Sequence, residues 1–162
     1  MFDFGKSSTQ RRGIYFAKGG IYFAKVSLAI SYLSAVLDRF GFWGHFGEKG
    51  VSWGSMTQFF KHVSILCPWA PKNMIPVIGW VVTVLEAVIG LSHIINVKNK
   101  FINIENIFIL ILFIISMSFF QSIKMMINFN VIVCFALSLL IYFADNNEIR
   151  RREYEKSQIE IF

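Results

Sequence analysis

The chain has few cysteines, few prolines and no separate basic face, and each shortage argues against a kind of protein. Its 162 residues include two cysteines, Cys67 and Cys134, in no CxxC or cysteine–histidine spacing, so neither a disulfide framework nor a zinc site is indicated. Its three prolines do not break a matched pair of apolar segments, as the repeats of many transporters do. The formal charge of +6 comes from basic residues beside apolar runs, which predicts lipid head groups, and no nucleic acid, as the anionic partner.

What the chain has in abundance is apolar and aromatic residues. Hydrophobic residues make up 55% of it and aromatic residues 17%, and the mean hydropathy is +0.54. Because a helix needs about 20 apolar residues to cross the hydrocarbon core, the apolar runs can be counted as spans. Four segments qualify, at residues 21–40, 75–95, 101–120 and 129–144. The predicted fold class is therefore an all-α integral membrane protein, a bundle of four transmembrane helices.

The distribution of lysine and arginine orients this bundle. Basic residues concentrate before the first span, between the second and third and after the fourth, and short loops rich in such residues stay in the cytoplasm. We therefore expect both chain ends in the cytoplasm. The expected organisation is a basic N-terminal segment (1–20), a membrane domain (21–144) and a charged tail (145–162). No small-x-small cleavage site follows the first apolar run, which is expected to be retained.

The one sizeable loop, residues 41–74, is rich in glycine and in aromatic residues that suit the membrane interface. Between residues 53 and 66 the apolar residues recur at helical spacing, and Pro68 follows. This pattern predicts a short amphipathic helix on the outer face, between the first and second spans, that covers the top of the bundle.

An immediate duplication leads into the first span. Residues 13–19 have the sequence GIYFAKG, and residues 20–25 repeat it as GIYFAK. A unit of seven residues is too short for a structural repeat, so the duplication is expected only to lengthen the start of the first helix.

The most informative polar residue is Glu86, which lies at the middle of the second predicted span. An ionisable side chain at this depth carries a penalty of about 2.5 to 3.5 kcal/mol on insertion scales. Gly79, Thr83, Glu86, Gly90 and His93 are spaced by four, three, four and three residues, which places them on one helix face, away from lipid. Two interpretations of Glu86 are open, helix packing and proton exchange. For His93 the alternatives are a proton relay and a hydrogen-bonded interface residue.

The first span carries a matching stripe of Ser27, Ser31, Ser34 and Asp38, spaced by four, three and four residues. The two stripes predict one polar seam inside the bundle, centred on Glu86. The serines suit close packing between helices. A weaker stripe in the fourth span consists of Asn130, Cys134 and Ser138.

Three charged residues flank the loop side of this predicted seam. Asp38 and Arg39 end the first span, and Lys124 follows the third. Either Asp38 and Lys124 form an ion pair, or all three side chains reach the head groups. A further alternative is that Lys124 or Arg39 reaches inward and compensates the charge of Glu86. The candidate catalytic residues are Glu86, Asp38 and Lys124, and the other candidate residues of the polar seam are Arg39, Ser31, Ser34, Thr83 and His93.

Several stretches of the sequence resemble the DoxX family of membrane proteins. They are VSLAISYLSAVLDRFGFWG at 26–44, GVSWG at 50–54 with Phe59, PW at 68–69, IPVIGW at 75–80 with Glu86 and Gly90, and SIK at 122–124 before Asn130 and Val131. The likeness keeps the family's order over residues 25–143. The third span, rich in isoleucine and phenylalanine, and the duplicated start depart from the family pattern, but both departures leave Asp38, Glu86 and Lys124 in place.

The resemblance implies a four-helix membrane protein whose relatives include a small subunit of thiosulfate:quinone oxidoreductase and proteins linked to redox-enzyme maturation. One expected function is therefore an accessory or subunit of a quinone-linked redox system, with a membrane oxidoreductase as partner and quinone as a diffusible cofactor. The residues themselves identify no cofactor: only His93 of the three histidines falls within a span, so a bis-histidine haem is not indicated. Two alternatives stay open, a small-solute or proton transporter and a non-catalytic membrane interaction protein, and a homo-oligomer is compatible with each.

Overall fold

The structure, a computed structural model, describes residues 8–159, with side chains from residue 12 to residue 158. This part of the chain folds entirely into helices joined by turns and loops. The helices are α1 (Ser8–Arg39), α2 (Met56–Leu66), α3 (Ile75–Ile94), α4 (Lys100–Phe120), α5 (Ile123–Asn128) and α6 (Val131–Ile159). Four of them, α1, α3, α4 and α6, are long and apolar enough to cross a membrane. The predicted four-helix membrane bundle is therefore confirmed for the described residues.

The two middle spans agree with the sequence prediction, and the two outer ones are longer than predicted. Helices α3 and α4 match the predicted spans at 75–95 and 101–120 to within one residue. Helix α1 begins well before residue 21, and α6 continues beyond residue 144, so the expected domain limits at 20 and 145 fall inside helices. Ion pairs one turn apart, such as Arg151–Glu155 at 2.9 Å, support the charged extension of α6.

The short helix α2 confirms the amphipathic segment predicted in the large loop, with a later start. The predicted start at residue 53 is wrong because Ser55 caps the helix, its side chain accepting a hydrogen bond from the backbone N–H of Gln58. One face, formed by Phe59, Val63 and Leu66, is buried against the bundle. The helix ends before Pro68, as expected.

The bundle has two ends, which we name by what lies there. The start of α1, the end of α6 and the turn between α3 and α4 lie at the terminal face, while α2 and α5 lie at the opposite loop face. Helix α1 packs on α3 and α6, α4 packs on α6, and α2 contacts α3 and α4. A side chain at Gly90 would place its Cβ 3.0 Å from Leu33, so this glycine allows α1 and α3 to pack closely. Leu28, Ile89 and Ile141 fill the core between the faces and are fully buried.

The inward face of α1 differs from the predicted serine stripe. Ser31 is exposed, whereas the buried polar residues of this helix are Lys25, Tyr32, Asp38 and Arg39. The hydroxyl of Ser31 donates to the backbone oxygen of its own helix one turn earlier, at 3.1 Å, so it needs no partner on another helix. These side chains turn inward because each contacts a polar group there: Lys25 contacts α6, Tyr32 contacts α4, Arg39 contacts α3, and Asp38 contacts the loop before α2. On α3 the prediction is confirmed, since its stripe from Gly79 to His93 is buried.

Candidate functional site

The centre of the loop-face half is a buried ion pair between Arg39 at the end of α1 and Glu86 in α3. Nη2 of Arg39 lies 2.6 Å from Oε2 of Glu86, and both side chains are almost wholly buried. Nη1 of Arg39 donates to the hydroxyl of Thr83 at 2.9 Å, and that hydroxyl donates to the backbone oxygen of Gly79 at 2.8 Å. The guanidinium therefore compensates a carboxylate that would otherwise be unpaired inside the bundle.

Aromatic rings enclose the guanidinium on the loop side. The ring centroid of Phe59 lies 3.7 Å from the central carbon of Arg39, and that of Trp53 lies 5.1 Å away. These distances are in the range of cation–π contacts, which gain strength where water is excluded. Trp53 in turn stacks on Phe129, with ring centroids 6.1 Å apart and an angle of 9° between the planes. Trp53 of the loop and Phe59 of α2 thus cover the ion pair, and we call these two rings the aromatic lid.

Asp38 positions this lid. Its Oδ2 accepts hydrogen bonds from the backbone N–H groups of Trp53 at 2.7 Å and of Ser52 at 3.2 Å. Neither of the first two alternatives for Asp38, Arg39 and Lys124 is correct. The ion pair between Asp38 and Lys124 is not formed, because Asp38 is buried against the loop backbone while Lys124 is exposed on α5. Asp38 and Arg39 also do not reach the head groups, because both are buried and Arg39 turns inward to Glu86. The candidate catalytic set is therefore divided: Asp38 lies beside Arg39 and Glu86, and Lys124 lies apart from them.

A cavity of about 350 Å³ lies next to the ion pair, enclosed by α1, α2, α3, α4 and α6. Its wall is mainly aliphatic and aromatic, and the charged groups in it are Arg39 and Glu86, with His62 of α2 beside them. Ser31 and Leu112, which also line the cavity, are exposed and lie within spanning helices. We therefore expect molecules dissolved in the lipid to reach the cavity from the side.

Two polar groups at this cavity are suited to a ligand. Among the described residues, Nε of Arg39 is buried and has no hydrogen-bond partner. A buried donor without a partner is rare and is normally satisfied by water or by a ligand. Burial lowers the pKa of His62 below its ordinary value, and the charge of Arg39 lowers it further, so the imidazole is neutral at pH 7. The site can thus offer one charged and one neutral N–H donor.

His93, which is the second titratable residue of the predicted α3 stripe, belongs to a separate polar cluster deeper in the bundle. Nδ2 of Asn106 lies 3.3 Å from Nε2 of His93 and donates to Ser138 at 2.9 Å, while its amide oxygen accepts from the hydroxyl of Tyr32. An amide does not titrate, so Asn106 separates His93 from Tyr32 as far as proton transfer is concerned. This arrangement favours the hydrogen-bonded interface role of His93 over the relay.

A third polar cluster lies toward the terminal face. Nζ of Lys25 is 2.8 Å from both carboxylate oxygens of Asp145 and donates to Asn96 at 3.0 Å, and Asn103 donates to Asp145 at 3.0 Å. The sequence assigned Asp145 to the charged tail (145–162), where it was expected to face water, but its side chain is buried. One signal was available in the sequence: Lys18, Lys25, Tyr32 and Arg39 recur every seven residues and so share one face of α1.

Within residues 8–159, no group of three or more histidine, cysteine, aspartate and glutamate side chains is arranged to hold a metal ion. Thr83 joins the site of Arg39 and Glu86, and Ser34 takes part in the loop face through its backbone oxygen, which accepts from the indole of Trp43 at 3.0 Å.

Comparison of the chain with protein-family models, with curated proteins and with solved structures found no match.

Proposed function

We propose that the chain is a DoxX-like protein of the bacterial inner membrane and serves as an accessory or subunit of a quinone-linked redox system. In this proposal the head group of a lipid-soluble quinone occupies the cavity beside Arg39 and Glu86, and the partner is a membrane oxidoreductase. The loop face is outside the cell and the terminal face is in the cytoplasm, because most lysine and arginine residues that flank the spans belong to the terminal face.

The observation that carries the proposal is that Arg39, whose buried Nε–H has no hydrogen-bond partner among the described residues, lines a mainly apolar cavity together with aromatic side chains. A quinone head group is flat and apolar, and its two carbonyl oxygens accept hydrogen bonds without adding charge. Arg39 and the neutral His62 supply donors for these oxygens, while Trp53 and Phe59 supply aromatic surfaces. A volume of 350 Å³ falls within the usual range for small-molecule sites.

Reduction of a bound quinone to the quinol consumes two electrons and two protons. The electrons come from the partner oxidoreductase. The two protons come from water. Glu86 takes up a proton, passes it to a quinone oxygen and returns to the carboxylate that its ion pair with Arg39 stabilises, once for each proton. The chain therefore contributes the quinone pocket and a proton-exchanging group to a larger complex.

The transporter alternative receives less support from the fold. A solute path would have to continue from the cavity to the terminal face. That part of the core is occupied by Leu28, Ile89 and Ile141, all fully buried. A pocket open to lipid and closed toward the terminal face suits a ligand that enters and leaves through the membrane.

Quinone binding can be tested through Trp53. In a variant with the other three tryptophans replaced by phenylalanine, a short-chain ubiquinone analogue is expected to quench the fluorescence of Trp53 saturably. Arg39→Lys keeps the positive charge but has no Nε–H group. It should weaken binding by about 10- to 150-fold, since a hydrogen bond from a charged donor contributes about 1.5 to 3 kcal/mol. Glu86→Gln leaves the guanidinium of Arg39 without its carboxylate and should lower the stability. The folded protein should still bind quinone, but quinone reduction by the native membrane system should be abolished, because an amide cannot titrate.

The matched control is Glu105→Gln, which neutralises an exposed carboxylate on α4 and should change neither binding nor activity. Quenching that rises linearly without saturation would contradict a quinone site. Full quinone reduction by a well-expressed Glu86→Gln variant would leave Glu86 with a packing role only.

The orientation in the membrane has its own test. In a background with both native cysteines replaced by serine, Asn147→Cys at the terminal face should resist an impermeant thiol reagent added to intact cells. Ser64→Cys, on the exposed side of α2 at the loop face, should react. Labelling of Asn147→Cys from outside, with protection of Ser64→Cys, would reverse the proposed topology.

A further inference from the structure

A second cavity, of about 560 Å³, lies at the terminal face and is separate from the proposed quinone pocket. It is a crevice between the first half of α1, the turn that joins α3 to α4, and α6. Four cations line it, Lys18, Lys98, Arg151 and Arg152. The proposed function makes no use of this crevice.

The duplicated heptapeptide builds one wall of the crevice. Seven residues make almost two helical turns, so the second copy repeats the first on the same face of α1 with a drift of about 20°. Lys25, in the second copy, is buried and paired with Asp145. Lys18, in the first copy, stands two turns nearer the terminal face and lies 3.8 Å from Glu148, one turn beyond Asp145 on α6. The duplication therefore does more than lengthen α1: it adds a second lysine level opposite α6.

The charges at this second level do not balance. Three cations surround the single carboxylate of Glu148, with Lys98 at 2.5 Å, Arg152 at 3.3 Å and Lys18 at 3.8 Å. The neighbouring pairs Lys25–Asp145 and Arg151–Glu155 are each neutral. Two positive charges are thus left over around Glu148, in a crevice with room for another anion.

The surroundings of the crevice place it at the boundary between lipid and water. Tyr15, Phe16, Tyr22 and Phe23 from the two copies are exposed on α1, and Tyr22 also lines the crevice. Exposed tyrosine and phenylalanine at the end of a span are typical of the head-group region. Basic residues at this depth are attracted to anionic lipids, each contributing roughly a fivefold gain in binding.

We propose that the crevice binds the phosphate group of an anionic phospholipid, with Lys18, Lys98 and Arg152 as its ligands and Tyr22 against the glycerol or acyl region. The two excess charges around Glu148 are more than enough to neutralise the single negative charge of one phosphodiester, and the exposed aromatic residues hold the same end of α1 at the head-group level. An anionic lipid bound there bridges α1 to α6 and to the turn after α3.

The test compares two double variants that remove the same charge. Purified protein is equilibrated with equal parts of phosphatidylglycerol and phosphatidylcholine, and the lipids retained are counted by native mass spectrometry. Lys18→Gln with Arg152→Gln should lower the retained ratio of anionic to zwitterionic lipid by at least about fivefold. Arg150→Gln with Lys156→Gln, on the same helix but outside the crevice, should leave the ratio unchanged. Circular dichroism and thermal unfolding confirm that both variants fold.

A third variant gives a result of the opposite sign. Glu148→Gln removes the internal anion that competes with the phosphate, so it should retain at least as much phosphatidylglycerol as the wild type. Equal losses in the two double variants, or a loss of anionic lipid in a folded Glu148→Gln variant, would overturn the proposal. Stabilisation by millimolar inorganic phosphate equal to that by phosphatidylglycerol would also overturn it, by identifying the ligand as free phosphate.

Discussion

Replacing Arg39 by glutamine is expected to lower the free energy of unfolding by about 3 to 5 kcal/mol, the usual effect of removing one partner of a buried ion pair. Glu86 would keep its charge but lose the guanidinium 2.6 Å away, and Thr83 would lose a donor 2.9 Å away. The aromatic rings of Phe59 and Trp53 would also lose their cation. Denaturation in mixed detergent micelles, followed by circular dichroism, measures the change.

A double variant separates charge from shape at the same site. Arg39→Gln combined with Glu86→Gln should recover much of the lost stability, because two neutral amides can hydrogen-bond without leaving a buried charge. Arg150→Gln, at an exposed position of α6, should change stability by less than about 0.5 kcal/mol. A double variant no more stable than Arg39→Gln alone would mean that packing, and not charge compensation, holds this site.

Replacing Lys25 by methionine should have an effect of similar size at the terminal half of the bundle, about 3 to 5 kcal/mol. The side chain is fully buried, and its loss would leave Asp145 with the Asn103 amide, 3.0 Å away, as its remaining side-chain partner among the described residues. Because the pair joins α1 to α6, we also expect faster hydrogen exchange of the backbone amides around Asp145. Denaturation and exchange mass spectrometry measure the two effects.

The duplication supplies the matched control for this change. Lys18 occupies the same place in the first copy that Lys25 occupies in the second, but it is largely exposed and lies 3.8 Å from its carboxylate. Lys18→Met should therefore alter stability by no more than about 1 kcal/mol. Asp145→Asn should rescue Lys25→Met in part, since it removes the unpaired charge. Equal effects of Lys18→Met and Lys25→Met would contradict a structural role for the buried pair.

The positions of the middle spans and of the α3 stripe could be predicted from the sequence for simple reasons. A run of about 20 apolar residues has one stable solution in a bilayer, a spanning helix, because every backbone polar group must then be paired within the segment. Glu86 could be placed on an inward face because an ionised side chain facing lipid would be penalised. The start of α2 was misplaced by a few residues because Ser55, and not the apolar pattern, decides where the helix begins.

Most partners of the polar residues could not be predicted from the sequence, and the errors share one cause. Lys25 and Asp145 lie near the ends of apolar runs, where charged side chains normally reach water, so their sequence positions suggested solvation. The serine stripe on α1 did not identify the buried polar contacts of this helix. The hydroxyl of Ser31 bonds to the backbone of its own helix and therefore needs no partner on a neighbouring helix. The side chains that turn inward, Tyr32 and Arg39 among them, are those that meet an amide or a carboxylate on another helix.

The sequence by itself determined that this chain is a four-helix membrane protein, that a short amphipathic helix lies between its first two spans, and that Glu86 is buried. Hydropathy and helical period are properties of single segments, so no knowledge of neighbouring helices was needed. Only the tertiary structure decided that Arg39 pairs with Glu86, that Asp38 holds the aromatic lid, and that Lys25 pairs with Asp145. These pairings join residues far apart in the chain, and they depend on the rotation of each helix about its axis, which side-chain packing across the whole bundle sets.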